Sequence, residues 1–265
     1  MNKPLIPAQR RERIQEYLEI HNIVRIGDLS AMLGASEATI RRDLEWMESE
    51  GLVERTHGGA ILTERTLLEP EYLQRAQRYP EEKRKIGACA ASMINDGDII
   101  FINGGTTSTQ VMRHIRGHAG ITVITNNLTA ALEVGAAGFK LILLGGDFQS
   151  TSNATAGRFA IENLNKVYAS KAFISVDGFS LKYGFTVPTN AEAEIIGCMV
   201  ERTHGVVSLM ADHSKWGVVS NFQVAAIDQV HRFITDDQIS QHALDALAAR
   251  SIEVVIAGES NARSG

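Results

Sequence analysis

The sequence predicts an α/β chain in two parts, and three observations carry that prediction. Residues 1–62 hold three short helical periodicities followed by two strand-like stretches. Residues 81–258 alternate continuously apolar strands with amphipathic helices, the pattern of a mostly parallel sheet covered on both faces. Between them, residues 63–80 are rich in Glu, Arg and Gln around Pro70 and Pro80, which reads as a linker, and residues 259–265 read as a tail.

In the first part, residues 10–21 place Ile14, Tyr17, Leu18 and His21 at helical spacing. Residues 25–33 form a second short helix with Leu29, Met32 and Leu33 apolar, and Gly34 ends it where a positive φ is often required. The third helix opens at Ser36, whose hydroxyl can accept a free N–H of the first turn, while Glu37 favours the positive end. Ile40, Leu44 and Met47 make one face apolar, leaving Thr39, Arg41 and Arg42 on the sides and front. Gly51 is a plausible stop, after which residues 52–55 and 60–62 read as strands joined through Thr56-His57-Gly58-Gly59. Three helices and a β-wing make a winged helix-turn-helix, whose second core helix enters the major groove of DNA. Candidate DNA contacts are Ser36, Thr39, Arg41 and Arg42 on the helix and Arg55 and His57 on the wing. Arginine matches phosphates and the O6/N7 edge of guanine; simple solvent exposure is the competing explanation.

Charge constrains this assignment. The chain carries 26 Lys and Arg against 31 Asp and Glu, and residues 1–60 hold eight basic against ten acidic residues. The basic footprint usual for a DNA-binding domain is absent. DNA binding therefore requires segregation, with Arg10, Arg11, Arg13, Arg41 and Arg42 facing DNA and Glu45, Glu48 and Glu50 turned away. It also favours a dimer, whose two half-sites add their phosphate contacts. No apolar run approaches the ~20 residues of a membrane span, and the N-terminus has no export signal, so a cytoplasmic protein without membrane contact is expected. Cys89 and Cys198 stand alone and the eight histidines lack ligand spacing, so no metal is expected.

Ser36-Glu37-Ala38-Thr39-Ile40-Arg41-Arg42-Asp43-Leu44, followed at matching spacing by Arg55-Thr56-His57-Gly58-Gly59-Ala60, resembles the signature of the DeoR family (DeoR/GlpR type) of bacterial transcription regulators. Arg25 departs from the Ser or Thr that often caps the second helix there. The resemblance implies a sequence-specific regulator, most often a repressor of carbohydrate catabolism genes.

In the second part, a helix over 82–94 leads to a strand over 98–102, a glycine turn and a helix over 107–115. A strand over 121–124, a helix over 128–135 and a strand over 141–144 follow. Later strands cover 172–176, 205–210, 232–234 and 253–256, with helices over 191–201 and 240–250. Ligands of open α/β sheets bind beyond the carboxyl ends of the strands, and five consecutive ends here are small or polar: Asn103-Gly104-Gly105-Thr106-Thr107-Ser108, Asn126-Asn127, Gly145-Gly146-Asp147, Asp177-Gly178 and Asp212-His213-Ser214-Lys215. The first suits an anion. Its glycines let the backbone approach, Thr106, Thr107 and Ser108 can donate, and a helix N-terminus follows. A structural turn is the alternative for this loop. Lys215 ends a later strand-derived loop and adds a movable charge. Neither GxxxxGK[ST] nor GxGxxG is present, so no nucleotide and no cofactor are expected.

This half resembles the DeoR-family effector domain, similar in fold to ribose-5-phosphate isomerase. The glycine-threonine loop, Asp177-Gly178 and Asp212-His213-Ser214-Lys215 resemble that enzyme's active-site motifs in the same order. Where the enzyme has a second aspartate this chain has Ser180, which favours a pocket that binds without turnover and leaves no residue assigned as catalytic. Strand-end position and the resemblance together mark Gly104, Gly105, Thr106, Thr107, Ser108 and Lys215 for an effector phosphate, and Asn103, Asn126, Asp177 and Glu192 for its sugar. The expected protein is a regulator whose operator binding responds to a phosphorylated sugar, acting as a homo-oligomer, dimer or tetramer. The alternatives are an isomerase with an accessory module, and a winged-helix interaction module that does not bind DNA.

Overall fold

A computed structural model describes residues 6–21, 23–49, 53–56, 58–62, 72–134 and 138–258, in two compact units that divide near residue 65. Glu50, Gly51, Leu52, His57, Gly135, linker residues 63–71 and tail residues 259–265 lie outside the described residues.

The first unit runs α1 (Pro7–His21), β1 (Ile23–Arg25), α2 (Ile26–Leu33), α3 (Glu37–Ser49), β2 (Val53–Arg55) and β3 (Gly59–Leu62). Its strands pair antiparallel in the order β1-β3-β2. Ile14, Leu18, Leu29, Ile40, Leu44 and Met47 are all fully buried together, as their spacing predicts, whereas Met32 is half exposed. Gly34 adopts φ +61° and closes α2 in the left-handed conformation. The strand β1 is a departure from the sequence reading. Arg25 is extended and pairs with Gly59, and the Ile26 N–H donates to the Gly58 carbonyl at 2.8 Å. That main-chain bond satisfies one free donor of the α2 first turn, a task for which the Arg25 side chain makes no capping bond.

One ion-pair cluster joins α1 to α3. Asp43 is 2% exposed, on the same helix face as Ile40 and Leu44, and accepts from the guanidinium of Arg10 and from Arg11 Nε at 3.1 Å. Arg11 also lies 4.0 Å over the Trp46 ring. Arg10 and Arg11 therefore pin the helices together, which corrects the expectation that both face DNA.

The second unit begins within the stretch read as a linker, where α4 (Tyr72–Gln77) buries Tyr72 and Arg75. Next come α5 (Pro80–Ala91), β4 (Ile99–Ile102), α6 (Thr106–His114), β5 (Thr122–Thr125), α7 (Leu128–Glu133) and β6 (Lys140–Leu143). The chain continues through β7 (Asp147–Gln149), β8 (Ala154–Ala156), α8 (Arg158–Leu164), β9 (Ala169–Ser175), β10 (Gly178–Ser180), β11 (Gly184–Val187) and α9 (Asn190–Glu201). It ends with β12 (Thr203–Met210), a 3-10 turn at His213–Lys215, β13 (Phe222–Ala225), β14 (Arg232–Thr235), α10 (Gln241–Ala248) and β15 (Glu253–Ile256). Seven strands form one sheet in the order β15-β14-β12-β9-β4-β5-β6, every pair parallel. The order reverses between β4 and β9: β5 and β6 build outward from β4, while β12, β14 and β15 build outward from β9. Helices α5 and α6 cover one face through Ile86, Ala90, Val111 and Met112, packed on Ile100, Ile102, Val123 and Phe173.

All seven strands of this sheet coincide with apolar runs in the sequence. The hairpin β7–β8, helix α8 and the antiparallel sheet β10-β11-β13 do not, because segments of three to seven residues such as Ala154-Thr155-Ala156 carry no readable period. The small sheet packs on the main one through Phe179, Phe185 and Phe233, with Phe179 and Phe233 centroids 4.6 Å apart. Among the described residues no helix is long and apolar enough to cross a membrane.

Removing the shared carboxylate strands two guanidinium groups against the helix pair. Asp43→Ala is expected to destabilise the first unit by about 3 kcal/mol, seen as an earlier unfolding transition in calorimetry of the full chain. An unshifted transition contradicts the role given to Asp43.

Candidate functional site

The reversal of strand order leaves a crevice at the carboxyl ends of β4 and β9, because their crossover connections leave toward opposite sides. One carboxamide joins the two strand ends. Asn103 Nδ2 donates to the Ser175 carbonyl at 2.9 Å, and Asn103 Oδ1 accepts from the Ser175 N–H at 2.8 Å and from Ser108 Oγ at 2.9 Å. The loop then turns sharply. Gly105 has φ +146°, and a Cβ there would lie 2.4 Å from Ser175 Oγ, so the position admits only glycine. The Gly104 N–H is held by Asn126 Oδ1 at 2.7 Å, and Asn126 Nδ2 donates to the Thr155 carbonyl at 2.7 Å. Asn127 supports the same loop from behind, donating to the Gly105 carbonyl at 3.2 Å and to Thr109 Oγ1 at 3.0 Å.

A small cavity opens at this crevice. Eight of the residues marked by the sequence line it: Asn103, Gly104, Gly105, Thr106, Thr107, Asp177, Glu192 and Lys215. Ser108 and Asn126 do not. Both are buried and spend their polar groups on the loop, so they shape the cavity instead of facing into it. Asn103 reaches the wall with its amide already committed to Ser175. The strand ends after β5 and β6 contribute no lining residue, which narrows the five-loop expectation to the ends of β4, β9 and β12. Ser180 sits in β10, 1% exposed, with its hydroxyl accepting from the Tyr183 N–H at 3.1 Å, and does not line the cavity.

Two cations absent from the sequence reading complete the wall. Arg75 Nη1 on α4 pairs with Asp177 Oδ1 at 3.2 Å. Lys83 in the first turn of α5 donates to the carbonyls of Arg75 and Arg78 at 2.5 and 2.7 Å. Burial lowers the Lys83 ammonium to about 8; nearby Asp212 and Asp177 oppose that fall, and Lys215 and Arg75 add to it. Lys215 stands on the 3-10 turn capped by the Asp212 carboxylate, which accepts from the Ser214 N–H at 3.1 Å. Beneath the turn, the hydrogen bond from His213 to the buried Asp236, 2.9 Å, raises the imidazole above its usual range. Glu192, in the first turn of α9, accepts from the Thr189 hydroxyl at 3.2 Å, and Val187 and Ile196 supply an apolar side. The cavity wall therefore combines three cations, two carboxylates and the glycine-threonine loop, with Arg75 and Asp177 paired across it.

In the first unit, Ser36 caps α3 through the Thr39 N–H at 3.3 Å and shares a 2.9 Å hydroxyl–hydroxyl bond with Thr39. Arg41 and Arg42 are exposed on α3, Arg41 beside Glu37 at 3.5 Å. Arg55 on β2 reaches back to α3, pairing with Glu45 at 3.0 Å and Glu48 at 3.9 Å. Those glutamates are thus turned to the wing, and Arg55 is partly neutralised where the sequence reading placed a DNA contact.

A winged helix on the same chain as an α/β unit with a cationic strand-end cavity defines a DNA-binding regulator with a sensor domain. The DeoR-like helix-turn-helix domain matches residues 10–66, and the DeoR C terminal sensor domain matches residues 78–237. The chain belongs to the DeoR family of transcriptional regulators. It is 32% identical over 251 residues to the HTH-type transcriptional regulator GlpR of Haloferax volcanii, covering 95% of this chain and 98% of the relative. It is equally 32% identical over 249 residues to the HTH-type transcriptional repressor GlcR of Bacillus subtilis, covering 94% and 95%. These relatives are named as regulators and repressors, not as enzymes, and the chain is a regulator. Among solved structures, ribose 5-phosphate isomerase from Plasmodium falciparum overlaps 51% of this chain and 52% of its own at 12% identity and TM-score 0.37.

The lowered Lys83 ammonium is directly measurable. NMR of the lysine ε-carbons is expected to show one side chain titrating near pH 8 in the wild type and missing from Lys83→Met. A full set of lysines titrating above pH 10 contradicts the burial and charge described for it.

Proposed function

We propose that this protein represses carbohydrate catabolism genes and that a phosphorylated sugar bound in the cavity modulates its grip on operator DNA. The observation that carries the reading is the meeting of Lys83, Lys215 and the Gly104–Gly105 backbone at the switch point of the sheet. Free amides at the start of α6, the hydroxyls of Thr106 and Thr107 and the two ammonium groups suit a phosphate. Asp177 and Glu192 are acceptors suited to sugar hydroxyls. Asn103, Asn126 and Ser108 keep the loop in place.

The head over residues 1–62 reads the operator through Thr39, Arg41 and Arg42 near the α3 N-terminus, with Ser36 as cap and neighbour. Arg55 and His57 serve the flanking backbone. The body over residues 81–258, with α4 added, senses the ligand. The repressor names among the relatives support repression. The acidic balance of the head supports a homo-oligomer, since paired heads add their phosphate contacts, and a DNA-binding regulator acts in the cytoplasm, where its operator lies. Ligand control requires the effector to favour one arrangement of the protein over another.

Band-shift measurements with the DNA upstream of the protein's own gene, with and without a panel of sugar phosphates, test the reading. At least one sugar phosphate is expected to change operator affinity about tenfold or more, within the usual range of allosteric coupling; binding with no change at any concentration overturns it. Arg42→Ala is expected to weaken operator binding uniformly and to reduce the salt slope by about 1. Affinity for a phosphate dianion is expected to hold up to about pH 8 and to decline above it, because Lys83 then loses the proton that makes it a cation.

A further inference from the structure

Helix α4 is fastened to the cavity at three points. The Tyr72 hydroxyl meets Thr109 Oγ1 at 2.9 Å, and Thr109 in turn donates to the carbonyl of Gly105 in the anion loop at 3.0 Å. Because Thr109 has one hydroxyl proton and gives it to Gly105, Tyr72 is the donor to Thr109. Arg75 crosses the cavity to Asp177, and the Lys83 ammonium holds the carbonyls of Arg75 and Arg78 at the end of α4. Two of these three fastenings use cations that line the cavity. In sequence, α4 stands close to the head, with only nine residues, 63–71, between Leu62 at the end of β3 and Tyr72.

We infer that α4 is a latch whose closed state is incompatible with a full complement of ligand contacts, so that cavity occupancy is passed to the head through α4. The inference rests on reading the cavity as an anion site. A dianion at the Gly104–Thr107 loop is a stronger acceptor for Lys83 than two neutral carbonyls, and it competes with the Asp177 carboxylate for Arg75. An ammonium drawn to the ligand leaves the end of α4 without its cap. A guanidinium drawn to the ligand leaves Asp177 free to accept from a sugar hydroxyl. The ligand and the closed latch thus draw on the same two cations, and each is favoured at the other's expense. Linkage then fixes a sign: anything that loosens α4 without touching the cavity must tighten ligand binding, because part of the cost of opening has been removed beforehand.

The test uses the full chain, with inorganic phosphate and a panel of aldose and ketose phosphates as probes. In the wild type, a saturating sugar phosphate is expected to speed hydrogen exchange at the amides of residues 72–78 and to change operator affinity. Tyr72→Phe removes one fastening outside the cavity. It is expected to bind the same sugar phosphate three- to tenfold more tightly, with operator affinity of the free protein moved toward the ligand-bound value. Gly105→Ala is expected to lose ligand binding and, with it, any effect of the sugar phosphate on exchange at residues 72–78. If the wild type responds to ligand but exchange at 72–78 is unchanged or slowed, or if Tyr72→Phe binds ligand no more tightly, the latch is overturned and the anion site stands. If no probe shifts the wild-type melting temperature or operator affinity, the anion site falls and the latch with it.

Discussion

Two parallel strands whose crossovers leave in opposite directions cannot both be roofed at their carboxyl ends, and the sensor unit is built around the gap this creates between β4 and β9. The gap has to be held open and held rigid. Asn103 does the first part by bonding both the N–H and the carbonyl of Ser175, fixing the separation of the two strand ends. Asn126 and Asn127 do the second part, spending their amides on the Gly104 N–H and the Gly105 carbonyl. Three carboxamides thus give a glycine-rich loop the fixed shape that its sequence alone does not impose.

The division of labour among polar residues follows from this. The carboxamides that hold the loop are buried and hydrogen-bonded within it, while five charged side chains, Lys83, Lys215, Arg75, Asp177 and Glu192, line the cavity beside the threonines. Placing three cations around so small a space costs electrostatic and desolvation energy, visible in the lowered Lys83 ammonium. A bound anion would relieve that repulsion, which is the physical ground for the proposed phosphate site. Ser180 puts a buried hydroxyl, bonded to the Tyr183 N–H, where a carboxylate would otherwise stand, so the carboxylates that line the cavity are Asp177 and Glu192.

The main sheet was legible because each of its strands is an apolar run set off by turn residues, and buried parallel strands need that composition on both faces. The caps and stops at Ser36 and Gly34 were equally legible, since capping is local chemistry. Arg75 and Lys83 were not, because their role depends on α4 folding back over the end of the sheet, and a short polar helix leaves no period. Arg10 and Arg11 went astray for the opposite reason. Basic residues on an N-terminal helix look like DNA contacts until their partner is known. Asp43 was the available signal, since it falls at i+3 from Ile40 on the face that Leu44 and Met47 bury.

The Asp43 cluster has a consequence for how such a head finds its target. With two of its arginines turned inward and a third, Arg55, shared with Glu45 and Glu48, the head has fewer cations for generic phosphate contacts than its sequence offers. Fewer phosphate contacts would shorten the dwell time of such a head on random sequence. On the proposed reading, discrimination then falls to base-edge contacts from the exposed start of α3, where Arg41 and Arg42 stand.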